Sequence, residues 1–177
     1  MSPRHEWRPQ WDQVTVTLGT DDLGCPTLAF NGITVLAFDL DHFKAVNDTY
    51  GHAVGDIVLV HAARVLGDMA RKTDIVARLG GEEFVIVMPG ASDEQARAVA
   101  ERIRAFLADE PITTPDGKSL RVTSSVGLAT ARANDTDIHA VLQRADKALY
   151  EAKRTGRNRI CHAREDEIHE PSIEQLT

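Results

Sequence analysis

The sequence predicts an α+β domain with a ferredoxin-like βαββαβ core around a mostly antiparallel sheet, and three observations carry this. The first is an apolar run, Ile33 to Phe38, that ends in Asp39 and Asp41. A run without alternation is a strand covered on both faces, hence one in the middle of a sheet. The second is Gly80-Gly81, with period-2 patterns on either side: Ile75, Ala77 and Leu79 before, Phe84, Ile86 and Met88 after. Two strands joined by paired glycines read as a β-hairpin, because a tight primed turn needs a positive φ. The third is the way helical patterns fall between these strands.

Taken in order, Val14-Thr15-Val16-Thr17-Leu18 alternates like an added edge strand ahead of the central one. After the central strand come a loop and a helix near 56–70, then hairpin strands over 74–79 and 83–88. Ser92 and Gln95 form a capping box that opens a helix with Ala96, Val99, Ala100, Ile103 and Leu107 on one stripe. Pro115-Asp116-Gly117 turns a second, extra hairpin, leading to a strand near 119–129. A helix near 137–154 carries Ile138, Val141, Leu142, Ala145, Ala148, Leu149 and Ala152, with Gly156 as its C-cap. A strand near 158–162 closes the domain, and the acidic, aromatic-free Glu165–Thr177 reads as a mobile tail. The division expected is an atypical segment over 1–32, one domain over 33–162 and a tail over 163–177.

Composition narrows the function classes. At 177 residues there is room for one domain with a real core plus tails. The net charge of −7 disfavours a general nucleic-acid binder. Cys25 and Cys161 stand far apart and read as thiols in a reducing compartment. No apolar stretch approaches the roughly 20 residues of a membrane span, and the charged opening is no signal peptide, so a cytoplasmic protein is expected.

The hairpin turn carries Glu82 and Glu83 at a surface corner, pointing to opposite faces of the sheet. A carboxylate at the mouth of a buried strand is costly unless it meets a cation. If the central strand pairs with the hairpin, Asp39 and Glu82 can face one point. Two carboxylates beside open volume suit Mg²⁺, which completes its octahedron with water and phosphate oxygens. Taken alone, Asp39-Leu40-Asp41 reads as a helix N-cap rather than a metal site; the hairpin acids beside it reverse that reading.

Phe38-Asp39-Leu40-Asp41-His42-Phe43-Lys44, Asn47-Asp48-Thr49-Tyr50-Gly51-His52, Gly55-Asp56, Gly80-Gly81-Glu82-Glu83-Phe84, Ala145-Asp146-Lys147-Ala148-Leu149-Tyr150-Glu151-Ala152-Lys153 and Gly156-Arg157-Asn158 stand in order. Together they resemble the GGDEF family of diguanylate cyclases in its GGEEF form, over about Ile33 to Ile160. The resemblance implies a palm-like architecture and the making of cyclic di-GMP from two GTP molecules. It implies that Asp39, the carbonyl of Leu40, and Glu82 hold Mg²⁺ (or Mn²⁺). Glu83 matches a position that assists removal of the ribose hydroxyl proton or holds a second metal; a solvated strand acid is the plainer reading. Lys44, Lys153 and Arg157 match phosphate contacts, although basic residues at a helix C-terminus are also expected from the macrodipole.

Asn47 and Asp56 match guanine readers. An amide oxygen and a carboxylate are what the N1–H and N2–H₂ donors of guanine require, and adenine would not satisfy the carboxylate. Asp56 also suits a helix cap, and Leu59 suits either a base-pocket wall or the core. His52 is expected to shape its loop. Arg71 and Asp74 match an Arg-x-x-Asp site at which the product inhibits, with Arg102 as an arm from a neighbouring subunit; a surface ion pair is the plain alternative. One departure stands out. The family opens with Asp-x-Leu-Thr-Gly-Leu-x-Asn-Arg-Arg and a helix, whereas Asp21 to Phe30 keeps at most a trace of it. The expectation is therefore a product-inhibited cyclase that dimerises at least transiently, against a receptor that binds cyclic di-GMP without making it, or an enzyme for another nucleotide.

Overall fold

The computed structural model describes residues 19–20, 26–27, 32–135 and 137–163. The edge strand expected at 14–18 and the tail expected beyond 163 lie outside the described residues. Two short strands, β1 (Gly19–Thr20) and β2 (Pro26–Thr27), pair antiparallel. The five-stranded sheet follows, with β3 (Ile33–Leu40) at its centre. Next come α1 (Phe43–Tyr50), α2 (His52–Met69), β4 (Ile75–Gly80), β5 (Glu83–Pro89) and α3 (Asp93–Asp109). A small hairpin of β6 (Ile112–Thr113) and β7 (Ser119–Leu120) leads to β8 (Ser124–Thr130), α4 (Ile138–Arg154) and β9 (Ile160–His162).

The sheet order is β4-β5-β3-β8-β9, antiparallel except for the β8–β9 pair. The segment β3-α2-β4-β5-α3-β8 is the expected βαββαβ core. Alternation along β3 divides its side chains between two layers. Leu36, Phe38 and Leu40 join Phe84, Ile86, Met88 and the apolar stripes of α1, α2 and α3 on one face. Val35 and Ala37 join Val85, Ala129 and the α4 residues Val141, Ala145 and Leu149 on the other. Asp39 is next in that second series, so its carboxylate belongs to the α4 side.

Gly127 sets how closely α4 lies. A Cβ there would stand 2.0 Å from the Ala145 carbonyl oxygen and 2.4 Å from the Leu149 nitrogen. The capping box of α3 is formed, with Ser92 and Gln95 exchanging side-chain and backbone bonds.

Several expectations change. The loop expected after β3 is helix α1, held by buried Phe43 and Val46 one turn apart, and α2 begins at His52 rather than near 56. Asp56 is therefore inside α2 and is no cap; neither aspartate of Asp39-Leu40-Asp41 is a cap either, because His42 takes that place at φ 58 without a side-chain bond. The strand expected over 119–129 is broken into β7 and β8. Leu79 leaves the alternation at a bulge, where Arg78 opposes Phe84 but Gly80 opposes Glu83, and it stands 56% exposed.

Candidate active site

The corner where β3 ends and the β4–β5 turn begins collects the acidic residues. Register sets Asp39 directly opposite Glu83, and opposed residues share a face of the sheet. Glu82 sits in the turn itself, where its carbonyl accepts the Leu40 amide at 3.3 Å. Gly81 adopts φ 50 in that turn, and the Arg78 guanidinium closes it with two bonds to the Gly81 carbonyl at 2.8 and 2.6 Å. The side chains of Glu82 and Glu83 make no hydrogen bond or ion pair among the described residues.

Asp39 is buried, and among the described residues one cation touches it: Lys153 Nζ, 2.7 Å from Oδ2. Lys153 is on the last turn of α4, the helix that the Gly127 contact lays over this end of the sheet. Burial raises the Asp39 pKa, the Lys153 bond and charge pull it down, and the charges of Glu82 and Glu83 push it up again. Asp146, two turns earlier on α4, shares a cleft with Glu83, Leu79, Tyr150 and Lys153, and burial raises its carboxyl as well.

Asp41 is also buried but serves the scaffold. It accepts from Thr123 Oγ1 and Ser125 Oγ at 2.7 Å each and from the Asn158 amide at 3.0 Å. These bonds pin the segment after α4, where Gly156, Arg157 and Asn158 take φ values of 126, 61 and 44 in succession. Two non-glycine residues held left-handed store about 1–2 kcal/mol each. The Arg157 amide caps the helix by bonding the Ala152 carbonyl at 2.9 Å, as the Gly156 signal anticipates. Arg104 from α3 holds the Asn158 side chain at 2.6 Å. Arg157 is thereby presented outward on a fixed backbone, with no side-chain bond among the described residues.

Lys44, exposed on the first turn of α1, is likewise free of side-chain bonds among the described residues. Asn47 lies one turn further along. Its amide oxygen rests so near Gly55 that a Cβ there would come within 1.9 Å of it. The glycine thus brings Asn47 beside Asp56, which is exposed. Leu59 belongs to the core at 7% exposure, and His52 is an exposed first residue of α2.

Arg71 and Asp74 lie at the other end of β4, about 20 Å from the acid corner for a strand of that length. They form a closed unit: the Arg71 amide donates to Asp74 at 2.8 Å, its guanidinium does so at 3.0–3.1 Å, and it also reaches the Pro89 carbonyl at 3.4 Å. Arg102 donates to the Met69 carbonyl at 2.8 Å, which sets it beside the same end of α2.

Could this corner take a divalent cation? Its donors are oxygen only, and Asp39 already holds an ammonium at ion-pair distance. Among the described residues no three His, Cys, Asp or Glu side chains converge. The oxygen-only donor set suits a Mg²⁺-like ion, which uses one or two protein carboxylates and takes its other oxygens from phosphate and water. It does not suit a closed zinc or calcium cage.

The family profile described as "Diguanylate cyclase, GGDEF domain" matches residues 29–159. The chain belongs to the GGDEF diguanylate cyclase family. Diguanylate cyclase A of Treponema denticola is 44% identical to this GGDEF domain over 128 residues, covering 72% of the chain but only 34% of that relative. Among solved structures, the GGDEF domain of DgcB from Caulobacter crescentus in complex with c-di-GMP superposes with a TM-score of 0.71 at 36% identity. The overlap covers 74% of this chain and 77% of that one. The active GGEEF domain of a diguanylate cyclase from Vibrio cholerae gives 0.70 at 35% identity, over 76% and 84%. No helix among the described residues is long and apolar enough to cross a membrane.

Sequence reasoning gave Arg78, Gly55 and Asp146 no role of their own in this GGDEF domain's site, and read Asp41 as a helix cap or metal ligand rather than as the latch it is. Gly55 proves to lie inside α2, where glycine costs about 1 kcal/mol and calls for a reason; with the helix expected only from near 56, that signal was not visible. The partners of Asp41 lie far along the chain and leave no local trace.

Proposed function

We propose that this GGDEF domain condenses two GTP molecules into cyclic di-GMP with release of two pyrophosphates. The observation that carries this reading is the carboxylate corner of Asp39, Glu82 and Glu83 with Lys153 laid across it. In each transfer, a ribose 3′-hydroxyl of one GTP attacks the α-phosphate of another, and pyrophosphate leaves. Asn47 and Asp56 accept the guanine N1–H and N2–H₂ donors and so exclude adenine. Lys44, Lys153 and Arg157 hold the triphosphate, Arg157 from its rigid left-handed turn. Glu83 accepts or orients the hydroxyl proton. Asp39, the Leu40 carbonyl and Glu82 would hold a divalent cation of the Mg²⁺ or Mn²⁺ kind. Such an ion, when bound, supplies neutralisation of phosphate charge and polarisation of the α-phosphate. Arg71 and Asp74, with Arg102 from a second copy, form the site at which the product inhibits.

Because one domain offers one corner, the reaction calls for two copies facing each other, an isologous pairing at least during turnover. The test is the purified chain with GTP and Mg²⁺, the nucleotide formed being identified by chromatography. Cyclic di-GMP and pyrophosphate in a 1:2 ratio are expected, and Glu82→Ala is expected to lose turnover with its circular dichroism unchanged. Cyclic di-GMP bound without any turnover would instead make the domain a receptor, and product from ATP would overturn the guanine assignment.

A further inference from the structure

The contact between Lys153 and Asp39 joins a residue assigned to phosphate with a residue assigned to the metal. Resting on the cyclase reading above, we propose that Lys153 is an exchangeable counter-ion that holds Asp39 until a nucleotide arrives and then transfers to the polyphosphate. Divalent cation and GTP then fill the corner together, and neither fills it well alone.

The geometry supports the exchange at both ends. Asp39 is almost enclosed, its side chain 9% exposed, whereas the Lys153 side chain is 33% exposed and reaches it from the last turn of α4. The carboxylate is fixed in a strand; the ammonium rides on a flexible four-carbon stem with three rotatable donors, the kind of group that changes partner cheaply. A divalent ion on the same carboxylate would lie within about one ion-pair length of that ammonium. Like charges this close in a half-buried site repel strongly, so the lysine has to leave for the ion to settle. A triphosphate resolves the conflict, offering the ammonium a new anion and the metal its remaining oxygens.

Other groups around the corner do not take over the task. Arg78, the arginine of the hairpin, is occupied by the Gly81 carbonyl. Lys44 and Arg157 are free among the described residues but do not touch Asp39. Without Lys153, Asp39 would face Glu82 and Glu83 with no neutralising partner, a corner that collects stray divalent ions. By linkage, the competition that weakens metal binding to the empty protein is the same free energy by which nucleotide strengthens it.

The exchange makes one substitution act in opposite directions on two ligands. Lys153→Met and the near-isosteric Lys153→Gln would be compared with the unaltered chain at pH 8. Mn²⁺ binding without nucleotide would be followed by electron paramagnetic resonance of the free ion. Binding of a fluorescent GTP analogue would be followed separately in EDTA. Both variants are expected to bind Mn²⁺ at least fivefold tighter and the analogue at least fivefold weaker. A lysine that merely supports the fold would weaken both.

Asp39→Asn separates the two layers of the reading. If it abolishes Mn²⁺ binding while the Lys153 variants bind Mn²⁺ no tighter than the unaltered chain, the metal site stands and the exchange is wrong. If Asp39→Asn leaves Mn²⁺ affinity unchanged, the metal site itself is misplaced and the exchange falls with it.

Discussion

Burial lifts the Asp39 carboxyl above its ordinary 3.8, and the Lys153 bond and charge offset this only in part. A carboxyl whose pKa rises on folding binds its proton more tightly in the folded state. Its support for the fold is complete below about 3.8 and is lost as pH rises through the folded value. Above that folded value the charged form of Asp39 weighs against folding, as residues kept for chemistry often do. Asp39→Asn is expected to raise Tm at pH 7 by about 2 °C while turnover falls at least a hundredfold. Calorimetry and a GTP assay check both, and a lowered Tm would mean that the lysine pair outweighs burial. Arg71 makes a second prediction at this scale. Arg71→Ala is expected to raise the inhibition constant for cyclic di-GMP at least tenfold with kcat unchanged, at a stability cost of about 1 kcal/mol. An unchanged constant would refute the inhibitory assignment. The acids at the strand mouth and the turn were legible because they interrupt apolar patterns. Their pairing was not: that Glu83 rather than Glu82 stands opposite Asp39 is set by the register of β3 against β5, and a shift of one residue would exchange the faces of a strand.

At the scale of elements, two glycines separate what the fold needs from what the site needs. At Gly127 the obstacle to a Cβ is backbone, the Ala145 carbonyl and the Leu149 nitrogen, so α4 itself would have to move. Gly127→Ala is expected to cost about 3 kcal/mol in urea denaturation and to reduce turnover as well, because α4 carries Lys153. At Gly55 the obstacle is the far end of the Asn47 side chain. Alanine is favoured over glycine in a helix by about 1 kcal/mol, so Gly55→Ala is expected to leave stability level or higher. With Asn47 displaced, its KM for GTP is expected to rise at least tenfold. Loss of stability at Gly55 without a change in KM would show that Asn47 does not read the base. The long helices and central strands were readable because their apolar periods are strong. Helix α1 was not, since it buries only Phe43 and Val46 and is otherwise polar. The partners that make Asp41 a latch lie 82 to 117 residues away, beyond any local pattern.

At the scale of the whole molecule, the acidic composition limits nucleic-acid binding and also opposes self-association. Two chains of net charge −7 repel, and the corner that the proposed pairing would bring face to face is itself acidic. Against that stand two large apolar side chains beside the same cleft, Leu79 at 56% and Tyr150 at 66% exposure, which pairing could bury. Repulsion over a broad surface is screened within about 10 Å at 0.1 M salt, whereas apolar contact is not. If turnover requires two copies, specific activity should rise with protein concentration below the dimer dissociation constant and then level off. Moderate salt should move that rise to lower concentration, the opposite of its usual effect on binding a charged substrate. Initial rates across a hundredfold range of protein, at two salt concentrations and saturating GTP, would show both. Sedimentation in the same buffers would show whether the association follows the rates. Strict proportionality of rate to protein at both salts would mean that one copy, or an already permanent assembly, does the work, and sedimentation would tell these apart.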